Sequence, residues 1–220
     1  MTSIPRILLA LVAGLVFVGV VFAVWPDLDL AVTSLFYHQV FFGGSSIGRL
    51  VRNFFRVTPL LVLIAFAALY FARRFGFAVR WAPDGRSVFF LAASIAIGTG
   101  LIVNLGMKDH LHRPRPSHVR KFGGTDEFKP WYRFNGACRQ NCGFPSGEAA
   151  SGFWMVAPAL VAPPPFRAPA VAGALAFGTV ASVLRIAYGH HFLSDVLFGA
   201  LISLIVVFAL RRVLWPRGGP

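Results

Sequence analysis

Charge is scarce in this sequence of 220 residues, and negative charge is the scarcest. Charged residues make up 13% of the chain, against about 25% in soluble proteins, while hydrophobic residues make up 56%. This composition excludes a water-soluble globule. Only 8 residues are acidic and 21 are Lys or Arg, giving a formal net charge of +13. The partners of such a chain are expected to be anionic.

The apolar residues fall in blocks of membrane-spanning length rather than at the periodicity of a soluble core. Lipid offers no partner to an unpaired backbone amide, so these blocks must be helices. The first is longer than the apolar part of a typical signal peptide, and no A-x-A-like cleavage site precedes Trp25, so we expect it to be retained. The six predicted spans are residues 7–24, 57–72, 87–107, 146–162, 168–184 and 192–210. The sequence therefore predicts one all-α membrane domain over residues 1–220, a six-helix transmembrane bundle, with lipid phosphates favoured over nucleic acid as partners.

Three arginines precede the second block at helical spacing, Arg49, Arg52 and Arg56. Apolar side chains alternate with them, as in an amphipathic helix that lies in the membrane interface. The same pattern fits a basic extension of the second span equally well. In either case the usual role of such a row is to face solvent or lipid headgroups.

Cysteine is nearly absent: Cys138 and Cys142 are the only two, and both lie in a long polar loop, residues 108–144. Their spacing fits a local disulfide, which persists only in an oxidising compartment. A zinc site is the competing interpretation, but two cysteines without a second ligand pair make a poor one. We therefore expect this loop to lie outside the cytoplasm.

Ionisable residues gather in three short segments, which is informative because such residues are costly at membrane depth. The segments are KDHLHRPRP at residues 108–116, FPSGE at residues 144–148 and RIAYGHHFLSD at residues 185–195. An even number of predicted crossings separates them, so all three should emerge on one membrane face.

Binding of a phosphate ester is the chemistry that this gathering indicates. Lys108, Arg115 and Arg185 could surround one phosphoryl group, because arginine offers paired donors and lysine a mobile charge. Ser146 and Gly147 stand where a helix begins, and backbone N–H groups there favour an anion.

A nucleophile accompanies these cations. His191 can attack phosphorus, and Asp195, four residues later on the same helical face, can hold its other ring nitrogen. Positioned donors would supply most of the remaining catalysis, because the transition state spreads charge over three oxygens.

In these motifs the chain resembles the type 2 phosphatidic acid phosphatase (PAP2) superfamily, whose motifs are K-x6-R-P, P-S-G-H and S-R-x5-H-x3-D. Lys108 to Pro116 matches the first motif fully, and Arg185, His191 and Asp195 match the third. The matches depart at two positions: Glu148 replaces the histidine of the second motif, and Leu184 the serine of the third.

The resemblance implies a phosphoric monoester hydrolase that forms a phosphohistidine on His191, oriented by Asp195, without metal or cofactor. The phosphate-binding residues that it implies are Lys108, Arg115, Ser146, Gly147 and Arg185. In the family the second-motif histidine protonates the departing oxygen. Glu148 would take that catalytic position here, although three nearby cations disfavour a protonated carboxyl. The other histidines that could substitute are His110, His112 and His118.

The expected protein is a multi-pass lipid phosphatase of the bacterial inner membrane, with its site facing the periplasm and residues 108–144 capping it. The candidate substrates are lipid A, undecaprenyl pyrophosphate, phosphatidylglycerol phosphate and phosphatidic acid. The FPSGE variant and the cysteine-bearing loop resemble those of lipid A phosphatase-type members. Two alternatives are a catalytically silent phospholipid-binding protein and an anion transporter, but an oriented nucleophile serves neither, and a transporter should show broken spans or repeats.

Overall fold

A computed structural model describes residues 3–79 and 81–216 of the chain. Within those residues β structure is limited to isolated bridges, and the all-α prediction is confirmed. The α-helices are α1 (Ser3–Val24), α2 (Asp27–Ser34), α3 (Ser46–Arg74), α4 (Gly85–Ile95), α5 (Gly147–Trp154), α6 (Val156–Val161), α7 (Pro164–Ala187) and α8 (Leu193–Leu214). A π-helical segment, Ala96–Lys108, continues α4 without a break.

In the described part of the chain, five helices are long and apolar enough to cross a membrane: Ile4–Val24, Ser46–Arg74, Gly85–Lys108, Pro164–Ala187 and Leu193–Leu214. They correspond to five of the six predicted spans.

The remaining predicted span, residues 146–162, consists of the short helices α5 and α6, which meet at Met155. Pro158 explains the break, because it lacks the N–H that would bond to the Trp154 carbonyl and its ring crowds that carbonyl. The bundle therefore contains five long helices and one interrupted one.

Helix α3 distinguishes between the two interpretations of the row of arginines that precedes the second span. It runs without interruption for 29 residues, about 44 Å at 1.5 Å per residue, which exceeds the hydrocarbon thickness. Ser45 caps its first turn by accepting a hydrogen bond from the Gly48 amide at 3.0 Å. Arg49, Arg52 and Arg56 thus lie on a basic extension of the second span, not on a separate interfacial helix.

The centre of the bundle is α5, which packs against both α7 and α8. Small residues permit this, since a Cβ placed on Gly152 would lie 3.2 Å from the Gly178 Cα. Trp154 is fully buried, and its indole donates to the Ser94 hydroxyl at 2.8 Å. The N-terminus of α5, which carries the second motif, is therefore held at the centre of one end of the bundle.

Candidate active site

The three motif segments meet at one end of the bundle, around His191. Gly189 has a positive φ of 67°, which a side chain would disfavour, and it turns the chain out of α7. The backbone amides of His190 and His191 both donate to the Arg185 carbonyl, at 3.1 and 3.3 Å. This tight turn places the His191 imidazole, which is 1% exposed, inside the cluster of motif residues.

One ring nitrogen of His191 is committed to the backbone. Its Nδ1 lies 2.6 Å from the Gly143 carbonyl oxygen, which can only accept, so Nδ1 carries the proton. Nε2 is then left with the lone pair that a nucleophile needs. Burial lowers the pKa of His191 well below its usual value, and the charges of Arg185, Lys108 and Arg115 lower it further. The ring is therefore neutral at physiological pH.

Asp195 lies near His191, but its carboxylate oxygens accept hydrogen bonds from other residues. Its Oδ2 is 3.6 Å from Nδ1, beyond hydrogen-bonding distance, and instead accepts the Phe192 amide at 2.7 Å, capping α8. The i, i+4 spacing predicts that Asp195 accepts the hydrogen bond of Nδ1–H. In the structure the Gly143 carbonyl accepts it instead. No sequence signal marked Gly143, because its role depends on a backbone atom.

Behind His191, Asp195 belongs to a buried ionic group that we call the back cluster, formed by Asp29, Arg113, Ser194 and Asp195. Arg113 is fully buried and donates to Asp195 Oδ1, to the Ser194 hydroxyl at 2.8 Å and to Asp29 Oδ2 at 2.7 Å. Burial raises the pKa of Asp29, against the opposing charge of Arg113. The sequence motifs pointed to neither Asp29 nor Arg113.

Glu148 joins two arginines in a second ionic group that we call the front cluster, formed by Arg52, Glu148 and Arg185. Arg52 donates to Glu148 Oε1 from Nε at 3.3 Å and from Nη2 at 3.1 Å. Arg185 Nε lies 3.3 Å from Glu148 Oε2, outside hydrogen-bonding geometry. Nε and Nη1 of Arg185 are buried and have no hydrogen-bond partner among the described residues.

The other predicted phosphate ligands border the front cluster. Arg115 donates to the Asn141 carbonyl from Nε at 3.0 Å and from Nη2 at 2.7 Å, and its Nη1 lies 3.1 Å from His190 Nδ1. Burial lowers the pKa of Arg115, and the charge of Arg52 lowers it further. The Lys108 ammonium interacts electrostatically with Arg115, Glu148 and Arg185.

Ser146 and Gly147 stand at the start of α5, as predicted. Ser146 is fully buried and caps the helix, its hydroxyl accepting the Ala149 amide at 3.3 Å. Gly147 has no room for a side chain, since a Cβ there would lie 2.6 Å from Asn104 Oδ1. Of the histidines considered as proton donors, His110 and His118 are exposed, and His112 Nδ1 is 2.9 Å from the Cys138 carbonyl.

Cys138 and Cys142 form a disulfide, with their Cα atoms 5.6 Å apart. The loop that it closes contacts both sides of the site. The Asn141 carbonyl holds Arg115, and the amide of Gly143, the next residue after Cys142, donates to the Arg113 carbonyl at 2.8 Å. The disulfide thus closes the segment that positions one predicted phosphate ligand and leads into the His191 contact.

Comparison with known proteins identifies a family and named relatives. The chain matches the PAP2 superfamily over residues 87–218. It is 33% identical over 215 residues to a lipid A 4'-phosphatase of Francisella tularensis subsp. novicida (strain U112), covering 91% of this chain and 95% of that relative. A lipid A 4'-phosphatase of Rhizobium leguminosarum is 39% identical over 117 residues, covering 53% of this chain and 50% of that relative. No solved structure matches the chain significantly.

Proposed function

Because this chain belongs to the PAP2 superfamily and is a phosphoric monoester hydrolase of a bacterial membrane, we propose that it removes a phosphate group from lipid A through a phosphohistidine on His191. The relatives named lipid A 4'-phosphatase support this choice among the anionic lipids that the sequence left open. Undecaprenyl pyrophosphate, phosphatidylglycerol phosphate and phosphatidic acid become the comparison substrates of the test.

The observation that carries the proposal is the pair of unpartnered donors on Arg185. A buried guanidinium with two N–H positions that make no hydrogen bond, although one lies 3.3 Å from Glu148 Oε2, is costly unless a further anion binds there. Those donors lie beside a neutral imidazole whose Nε2 is free. A phosphate ester supplies both the oxygens that Arg185 lacks and the phosphorus that His191 would attack.

The reaction proceeds in two balanced steps. Nε2 of His191 attacks phosphorus, a P–N bond forms, and the P–O bond to the lipid breaks, with its electron pair leaving on the lipid oxygen, which then takes up a proton from water. Water next attacks the phosphohistidine, the P–N bond breaks with its electron pair returning to Nε2, and inorganic phosphate leaves. Lys108, Arg115 and Arg185 neutralise the three equatorial oxygens. Ser146 and Gly147 present the α5 N-terminus to the same oxygens.

Asp195 would act by holding α8 and the Phe192 amide in place, so that the adjacent His191 stays against Gly143. The Gly143 carbonyl stabilises the imidazolium-like charge that develops on the attacking ring, a role given to an aspartate in other histidine systems. Glu148 stays a predicted proton donor, but it is paired with two guanidinium groups.

The site would face the periplasm from the inner membrane, with residues 1–220 forming one domain and residues 108–144 capping the site. The disulfide supports this placement, because disulfides persist in oxidising compartments. The contacts of Asn141 and Gly143 support the capping role.

Phosphate release from purified lipids in detergent tests the proposal, with His191→Ala and His190→Ala as the matched pair. Lipid A should release phosphate, and His191→Ala should lower turnover by about 10³-fold or more, whereas His190→Ala should cost far less. Enzyme quenched during turnover of ³²P-labelled lipid should carry an acid-labile, base-stable label that His191→Ala lacks. Equal losses in both variants would contradict the nucleophile, and release from another lipid alone would contradict the substrate.

A further inference from the structure

Arg52 lies outside the three motifs, yet its side chain reaches the active site. We propose that Arg52, held by Glu148, stabilises the leaving-group oxygen by charge and so replaces the proton donor that the family places at residue 148. This inference rests on the proposed phosphatase reaction and extends it to the departing side of the phosphate.

The contacts of Glu148 show why it is an anchor rather than an acid. Its Oε1 accepts two hydrogen bonds from Arg52, and its Oε2 faces Arg185 at 3.3 Å. Both oxygens of Glu148 therefore face guanidinium groups, an arrangement typical of a carboxylate that anchors an arginine side chain. Glu148 therefore fixes Arg52 against the residue that binds the phosphoryl group.

The position of residue 148 defines the side on which Arg52 lies. Glu148 occupies the position of the second-motif histidine, which protonates the departing oxygen in the PAP2 superfamily. We place the bond that breaks on that side, so an arginine held by Glu148 would lie beside it. The first two residues of α5 keep Glu148 there, because Ser146 caps the helix and Gly147 packs against Asn104.

Arg52 also keeps a donor free for a ligand. Its Nε and Nη2 bind Glu148, whereas Nη1 has no hydrogen-bond partner among the described residues, and the side chain is 32% exposed. Its charge reaches the other site residues. Burial lowers the pKa of His190 to about 3, and the charges of Arg185, Arg115 and Arg52 contribute to that shift. Arg52 thus belongs electrostatically to the same group of cations as Arg115 and Arg185.

The chemistry follows from the nature of a guanidinium group. As the P–O bond breaks, its electron pair moves to the lipid oxygen, and Arg52 offsets the developing negative charge. Arginine does not give up its proton at physiological pH, so the lipid oxygen takes its proton from water. Catalysis by charge without proton transfer leaves the rate more dependent on how stable the departing oxyanion is.

The experiment compares Arg52→Gln with Arg56→Gln, a matched control one turn along the same helix whose exposed side chain lies outside the site. Both variants are assayed on two detergent-solubilised phosphate monoesters with the same alkyl tail, one an alkyl phosphate and the other an aryl phosphate. The alkyl alcohol is the poorer leaving group. Arg52→Gln should lower kcat by about 10²-fold on the alkyl ester and much less on the aryl ester. Arg56→Gln should leave both rates unchanged.

The ratio of the two rates within one sample does not depend on how much enzyme is folded, so a destabilised variant still gives an answer. An unchanged ratio in Arg52→Gln overturns the proposal, because a purely structural or phosphate-binding role would slow both esters equally. Glu148→Gln should change the ratio in the same direction as Arg52→Gln, since it releases the anchor. Absence of phosphate release by the unmodified enzyme from every ester and lipid would instead overturn the proposed function.

Discussion

Two arginine–carboxylate clusters flank His191, and they differ in how completely their charges are satisfied. In the back cluster every nitrogen of Arg113 has a partner: Nε donates to the Lys129 carbonyl at 2.9 Å, and both terminal nitrogens donate to the carboxylates of Asp29 and Asp195. Its guanidinium also lies 4.6 Å from the centre of the Phe192 ring. Nothing in this cluster is left to bind a ligand.

The front cluster is incomplete by comparison. One carboxylate, Glu148, serves two arginines, and both Arg185 and Arg52 retain donors without a partner in the described structure. Two further cations, Lys108 and Arg115, interact with the same carboxylate, Glu148, and also with Asp109. A cluster with unpaired positive charge is built to receive an anion, whereas a saturated buried cluster fixes geometry. Arginine–carboxylate pairs therefore fix the geometry in the back cluster and leave positive charge for an anion in the front cluster.

Replacing one arginine in each cluster should distinguish a structural role from a substrate-binding role. These two substitutions should have the largest effects, one on the free energy of unfolding and one on kcat. Arg113→Gln leaves two buried carboxylates without their cation, so it should lower the free energy of unfolding by about 3–5 kcal/mol. Arg185→Gln removes donors aimed at substrate, so it should lower kcat by about 10²–10³-fold. Unfolding in detergent and phosphate release from lipid A measure the two effects.

The comparison would fail in either of two ways. Arg113→Gln could unfold at the same temperature as the unmodified protein, which would show that the buried pairs contribute nothing. Arg185→Gln could retain full turnover, which would show that the unpaired donors do not meet the phosphate.

Opening the disulfide should have a smaller effect and should touch both clusters, because its loop contacts Arg115 on one side and Arg113 on the other. Closing a loop of this size contributes about 2 kcal/mol to the free energy of unfolding, which replacing Cys138 and Cys142 together by Ser should remove. The KM for lipid A should also rise, since Arg115 loses the fixed Asn141 carbonyl. A double Ser variant with unchanged KM and unfolding temperature would show that the loop holds its shape without the bond.

The smallest expected effect concerns pH. Burial and then the charges of Arg185, Lys108 and Arg115 lower the pKa of His191, so its neutral form persists as the pH falls through the usual histidine range. Removing one of those cations with Arg115→Gln should raise the pKa of His191. The acid limb of the kcat/KM profile should then move to higher pH, because the protonated ring cannot attack.

Asp29→Asn is the matched control for this measurement, since it changes a charge in the back cluster instead of one of the cations that lower the pKa of His191. Its acid limb should coincide with that of the unmodified enzyme. If the acid limb of the kcat/KM profile moved with Asp29→Asn and not with Arg115→Gln, the back cluster and not the front cations would control the pKa of His191.

The low pKa of His191 should also make the stability of the protein fall at acid pH. The unfolded chain protonates this histidine near its ordinary pKa of about 6.5, whereas the folded protein does not. The unfolded state therefore binds more protons below that pH. The contribution of His191 to stability is present above it and is lost as the pH falls.

The sequence alone predicted the features that depend on local geometry or on the membrane. Apolar blocks of spanning length must become helices, because lipid leaves no other way to satisfy the backbone, and five of them did so as single long helices. Ser146 was predicted at a helix start and caps α5. The three motif segments also meet at one end of the bundle, as an even number of crossings requires.

Only the tertiary structure decided which charges meet. Arg52 is 96 residues from Glu148 in the chain, and Asp29 is 165 residues from Ser194, so their pairing depends on how α3 packs near α5 and how α2 covers α8. The i, i+4 spacing placed Asp195 near His191, but a backbone carbonyl from another segment accepts the hydrogen bond of the imidazole Nδ1–H. Local spacing fixes which side chains share a helical face, whereas the choice of hydrogen-bond partner depends on every segment packed against that face.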